Sequence, residues 1–168
     1  FDLKTSKKRS FRIKSFIGKE IEILGNFKTL CDSHFHLKSS LLCAHNGREF
    51  DFPFIARRMI IKKIKLPKIL DMHQKKPWEI PHLDTLYLWK FGDYKSSISL
   101  RLLSEVLGLS SKKIKSQGKE IANKFYLEKQ IDKIVEYCEN DVFVLSQVIL
   151  RFRNDPLLKD EEVVFLKN

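Results

Sequence analysis

The stretch Leu41–Arg58, LLCAHNGREFDFPFIARR, constrains this chain more than any other. Leu41 to Ala44 has the continuous apolar character of a short strand buried on both faces. His45-Asn46-Gly47 breaks that run with turn residues, and Gly47 is the residue able to take a positive φ without penalty. Asp51 follows, two residues before Pro53, a residue type favoured in the first turn of a helix. Phe54, Ile55, Arg58, Met59 and Ile61 then continue as a helical pattern. The expectation is strand, tight turn, helix, with an acid at the junction. Open α/β sheets place ligands at such junctions. A plain helix-capping aspartate would look the same in sequence.

The flanking segments extend the alternation. Phe1-Asp2-Leu3-Lys4-Thr5 and Phe11-Arg12-Ile13-Lys14-Ser15-Phe16 alternate as strands, joined by the basic polar turn Ser6–Ser10. Leu24, Phe27, Cys31 and Phe35 recur at helical spacing within 19–35. Ile64–Leu70, broken by lysines and Pro67, reads as a loop or edge piece, and Lys75-Lys76-Pro77-Trp78 as an exposed turn. His82–Leu86 reads as a short strand, with Trp89-Lys90-Phe91 passing into a loop. Ser99 caps a helix carrying Leu100, Leu103 and Leu107, which Gly108 stops, and Ser110–Lys119 is loop. A long helix over 130–153 has Ile131, Ile134, Val135, Cys138, Val142, Leu145 and Ile149 as its core stripe. Tyr137 and Asp141, four apart, share a face beside it. This progression predicts an α/β domain over 1–158, with a charged tail over 159–168.

Composition narrows the class. At 168 residues the chain suits one domain, and its 43% apolar content with 13 Phe residues argues for a packed core over disorder. No apolar run approaches about 18 residues, so no membrane span is expected, and no signal-peptide pattern opens the chain. Cys31, Cys43 and Cys138 lack zinc-ligand spacing and suit buried thiols in a reducing cytoplasm. The net charge of +11 points to a polyanionic partner, nucleic acid first, although dispersed lysines on a solvated surface would give the same sum.

Asp51 and Asp141 offer carboxylates from two separate elements, the raw material of a divalent-metal site. In order along the chain, His45-Asn46-Gly47-Arg48-Glu49-Phe50-Asp51 with Phe54–Arg58 resembles the second motif of DEDD-type 3′–5′ exonucleases. Tyr137-Cys138-Glu139-Asn140-Asp141 resembles their third motif in its Tyr-x-x-x-Asp form. His82–Leu86 and Ser99–Leu103 with Leu107-Gly108 are similar to the segments between them. The resemblance is to DEDDy-type (DnaQ-like) stand-alone bacterial proteins related to the proofreading domain of family B DNA polymerases, and covers about 11–158.

That resemblance implies a ribonuclease H-like fold, a mixed sheet with helices on both faces. It implies hydrolysis of DNA from single-stranded 3′ ends by metal-assisted attack of water, with a two-metal Mg²⁺ or Mn²⁺ site. It makes Asp51 and Asp141 metal ligands, Tyr137 the residue that orients the water, and Asn46 a shaper of the site. Asp84 is assigned either to the site or to a loop cap. The first motif should be Asp-x-Glu, and Asp2 keeps its aspartate while Lys4 stands where the glutamate belongs. An ammonium there would repel a metal. The five-residue link from Ser6 to Ser10 is also too short for a parallel return, so a strand of the family is expected to be missing. The alternative is a catalytically inactive nucleic-acid-binding pseudo-exonuclease using Lys4, Lys7, Lys8, Arg9, Arg57 and Arg58 on phosphates. A remnant kept for a protein partner is a third reading.

Overall fold

The computed structural model describes residues 9–35, 39–109 and 131–166, so the strand expected at Phe1–Thr5 and the loop at Ser110–Lys119 lie outside the described residues. The chain divides into two compact units, Phe16–Ser97 and a second formed from Phe1–Ser15 with Ile98–Asn168. Both are α/β. Among the described residues the strands form two two-stranded sheets, each parallel.

In the Phe16–Ser97 unit, α1 (Glu20–His34) precedes β2 (Cys43–Ala44), α2 (Asp51–Ile61), β3 (Leu83–Asp84) and α3 (Thr85–Lys90). The helical spacing read from α1 is realised, with Leu24 and Cys31 buried. Leu24, Phe52, Met59 and Leu70 form the core, with Phe27, Leu42, Ala44, Ile55, Ile64, Leu66 and Met72 packed around it. The segment read as a loop or edge piece is a loop that turns through a 3₁₀ helix, Lys68–Leu70, and buries Ile69 and Leu70. Glu20 joins α1 to α2 by accepting from the Arg58 guanidinium, with the Lys62 ammonium at 3.1 Å. Those two cations lower the Glu20 carboxyl to about 2.

Several expectations change here. The strand expected over Leu41–Ala44 contracts to β2, and Leu41 is 51% exposed. With only Leu83–Asp84 paired to it, the two-stranded ribbon cannot cover both faces of a longer segment. The strand expected over His82–Leu86 likewise ends at Asp84, where α3 begins and takes up Trp89. Asp84 starts that helix by accepting from the Leu86 and Tyr87 N–H groups, so its local cap overrides the β-pattern.

The second unit pairs β1 (Phe11–Lys14) with β4 (Val163–Leu166), Phe11 opposite Val163 and Lys14 opposite Leu166. The residues set apart by charge as a tail thus include a strand. Arg9 holds that end in place, donating to Glu162 (2.9 Å) and to the carbonyls of Pro156 (2.7 Å) and Leu157 (2.8 Å). Ser99 Oγ caps α4 (Leu100–Val106) by accepting from Leu102 N–H, and Gly108 beyond it has φ 64°, as a helix stop requires.

The long helix, α5 (Ile131–Phe152), buries Val144, Gln147, Val148 and Leu150, whereas Val142 of the expected stripe is 44% exposed. The buried face is shifted because a polar residue belongs to it. The Gln147 amide donates to Leu158 O and accepts from Leu158 N–H, both at 2.9 Å, satisfying the backbone that follows the helix. The three cysteines are free: Cys31 is buried and Cys43 partly so, but Cys138 is exposed, correcting the expectation of buried thiols for that residue. Burial pushes the Cys31 thiol to about 11 and the Cys43 thiol to about 12.

Candidate active site

The turn between β2 and α2 is built around one buried carboxylate. Asp84, 1% exposed, accepts from the backbone N–H of Asn46 (2.9 Å) and Arg48 (3.0 Å) as well as from Leu86 and Tyr87 (3.0 and 3.4 Å). It is both the N-cap of α3 and the anchor of the turn that leads into Asp51. An ionised carboxylate aimed at several N–H groups satisfies donors that would otherwise be buried without partners.

The left-handed residue of the turn is Asn46, with φ 61°, and not Gly47. Asparagine tolerates that region because its short polar side chain can bond locally. Gly47 is required for a different reason: a Cβ there would lie 2.3 Å from Ala44 Cβ and 3.2 Å from Phe52 Cζ. His45 Nδ1 lies 2.8 Å from Thr85 Oγ1, and Phe52 N–H donates to Gly47 O at 2.9 Å, closing the turn onto the first residues of α2.

Arg48 and His82 support this turn, and sequence reasoning gave neither a role. The Arg48 guanidinium donates to His82 O (2.6 and 3.1 Å) and Ile80 O (3.3 Å) while lying 5.4 Å from the Tyr87 ring centroid. Leu42 N–H donates to His82 Nδ1 at 3.3 Å, so the ring hydrogen sits on Nε2, which donates to Ile69 O at 2.8 Å. Burial lowers the His82 pKa and keeps the ring neutral. His82-Leu83-Asp84-Thr85 did carry a signal, a helix-capping aspartate after a short apolar strand, but its long-range partners were not local information.

Asp51 is the first residue of α2, half-buried, with its carboxyl pKa raised by burial and by the negative charge of Asp84. On α5, Tyr137 and Asp141 share a face, as the four-residue spacing predicts, and each shifts the other's pKa. Both are half-buried; burial raises both pKa values, and the neighbouring Tyr137 hydroxyl partly offsets the rise at Asp141. Ser15 Oγ donates to Glu139 at 2.6 Å on the same helix.

Each unit therefore assembles its own motif: His45, Asn46 and Asp51 about Asp84 in one, Tyr137 with Asp141 in the other. Asp2 and Lys4 lie outside the described residues. Arg57 is exposed on α2, and the Arg58 guanidinium is paired with Glu20 while about a third of its side chain stays exposed. Among the described residues no three His, Cys, Asp or Glu side chains cluster as a metal site.

A family model described as a predicted 3′–5′ exonuclease related to the exonuclease domain of PolB matches residues 3–158, a span that takes in the turn, Asp51, Tyr137 and Asp141. The chain belongs to this exonuclease family. No curated protein and no solved structure matches it significantly. No helix among the described residues is long and apolar enough to cross a membrane.

Proposed function

We propose that this member of the exonuclease family is a cytoplasmic DEDDy-type enzyme that removes nucleotides from single-stranded DNA 3′ ends, on a ribonuclease H-like domain with helices on both faces of a mixed sheet. The observation that carries the reading is the family match, which spans both the Asp51 motif and the Tyr137–Asp141 pair on α5.

The chemistry of the donors fits a hard divalent cation. Asp51 and Asp141 are carboxylates whose ionised forms are disfavoured by burial, and a bound cation would replace the solvation they lack. Asp51 and Asp141 would supply oxygen ligands, with Asp2 the further acid named by motif order. Mg²⁺ or Mn²⁺, when bound, supplies an acidified water and charge neutralisation at the leaving oxygen. Tyr137, beside Asp141 on α5, would hold the attacking water. Asp84 and Arg48 act earlier in the chain of cause: they fix the turn that delivers Asp51.

Lys4 favours a second reading, a module that binds single strands without cutting them. One experiment separates the two. A 5′-labelled single-stranded oligonucleotide is incubated with Mn²⁺ and the parent, Asp51→Asn or Lys4→Glu protein. A ladder shortening from the 3′ end, lost in Asp51→Asn, is the expected result. Activity only in Lys4→Glu would mean that Lys4 has silenced an otherwise intact site. No cleavage by any of the three would refute the catalytic reading.

A further inference from the structure

Within the second unit, α5 and β4 line a groove between them. Glu136, Glu139 and Phe143 line it from the helix, at i, i+3 and i+7, so they form one stripe. Val163 and Phe165, alternate residues on one face of β4, line it from the strand, and Asp160 of the preceding 3₁₀ turn joins them. Tyr137 and Asp141 do not line it, so the groove is no part of the motif on the same helix. Its volume is about 210 Å³, below the roughly 300–1,000 Å³ of sites that enclose drug-sized ligands, so it takes individual side chains.

The charge here runs against the rest of the chain. The whole chain carries +11, yet residues 131–166 hold eight carboxylates against four Lys and Arg. Arg9 engages Glu162 and Arg153 lies 2.9 Å from Asp155, but among the described residues no Lys or Arg pairs with Glu136 or Glu139. Glu139 instead accepts from the neutral Ser15 hydroxyl. Beside these carboxylates Phe165 is 54% exposed, an aromatic ring left open to water. Such a surface repels a phosphate backbone and attracts a cation carried on an aliphatic stem. From this juxtaposition we infer that the groove between α5 and β4 docks an extended segment of a partner protein in which Lys or Arg alternates with apolar residues. Successive side chains of an extended segment point to opposite sides, so its cations reach Glu136 and Glu139 while its apolar residues cover Val163 and Phe165. The inference does not rest on the exonuclease reading.

The test titrates the full chain into a fluorescein-labelled octapeptide of alternating Lys and Val, with affinity read by anisotropy. Octapeptides of alternating Lys and Ser, and of alternating Glu and Val, control for charge and for apolarity. The parent is expected to bind the Lys-Val peptide roughly tenfold more tightly than either control. Glu136→Lys turns an attraction into a repulsion and should weaken that binding by roughly tenfold. Phe165→Ser should abolish the preference for Lys-Val over Lys-Ser. Val164→Ser, on the other face of β4, should leave the affinity unchanged. Because Glu136 is exposed on the helix, its variant keeps the test decisive if Phe165→Ser lowers the melting temperature.

Equal affinity for the Lys-Val and Lys-Ser peptides would reduce the groove to diffuse charge and overturn the proposal, as would no binding of Lys-Val at millimolar concentration. Affinity for 5′-fluorescein dT₁₂ that falls in Phe165→Ser while peptide affinity does not would assign the groove to nucleic acid and overturn it too. Self-association in sedimentation that disappears in Glu136→Lys, with no peptide bound by the parent, would assign the groove to a second copy of the chain.

Discussion

Asp84→Asn isolates how much one buried carboxylate holds together. Oδ1 accepts from Asn46 (2.9 Å), Leu86 (3.0 Å) and Tyr87 (3.4 Å), and an asparagine carbonyl can keep those three bonds. Oδ2 accepts from Arg48 N–H at 3.0 Å, and there the amide places a donor against a donor. The loss is one hydrogen bond to a charged group, about 1.5–3 kcal/mol, and the surviving bonds weaken to the neutral kind. A total of about 3 kcal/mol is expected, a large share of a stability typically of about 5–15 kcal/mol. With a urea slope of about 2 kcal/mol/M, the midpoint should fall by about 1.5 M. Amide hydrogen exchange gives the local readout: the Arg48 N–H should lose on the order of a hundredfold protection, the same free energy read at one bond. An unchanged Arg48 amide with a stability loss below about 0.5 kcal/mol would refute the claim that Asp84 anchors the turn.

Two further outcomes concern neighbouring features. Gly47→Ala should destabilise by about 1–3 kcal/mol or more, because its Cβ would meet Ala44 Cβ at 2.3 Å and the turn must move; a melting temperature unchanged from the parent's would contradict the geometry. In the other unit, the Arg9 guanidinium lowers the Glu162 carboxyl from its ordinary 4.5 to about 2. A depressed carboxyl stabilises above its unfolded pKa and loses that contribution as pH falls through the folded one. Stability should therefore decline between pH 4.5 and 2, and Arg9→Met should flatten that decline; the same slope in both proteins would mean that other groups set it.

Local patterns were legible wherever short-range chemistry decided the outcome. The helical spacing of Leu24 and Cys31, the Ser99 cap, the Gly108 stop and the Tyr137–Asp141 spacing depend on residues within a turn or two of one another, and each is realised. The motif order that signalled the family is likewise a property of the linear chain, and the family match spans it. Tertiary structure decided what depends on partners far away in sequence. Arg58 reads as a free cation until Glu20, 38 residues earlier, engages it. The end of the chain reads as a charged tail until Arg9 and β1 give it partners. Asp84 could have been a reactive acid or a cap, and what settled its partners was the arrival of the Asn46 and Arg48 amides from 38 and 36 residues away. Spacing along the chain fixes which side chains share a helix face, but the donors that a buried carboxylate meets are set only when separate elements pack together.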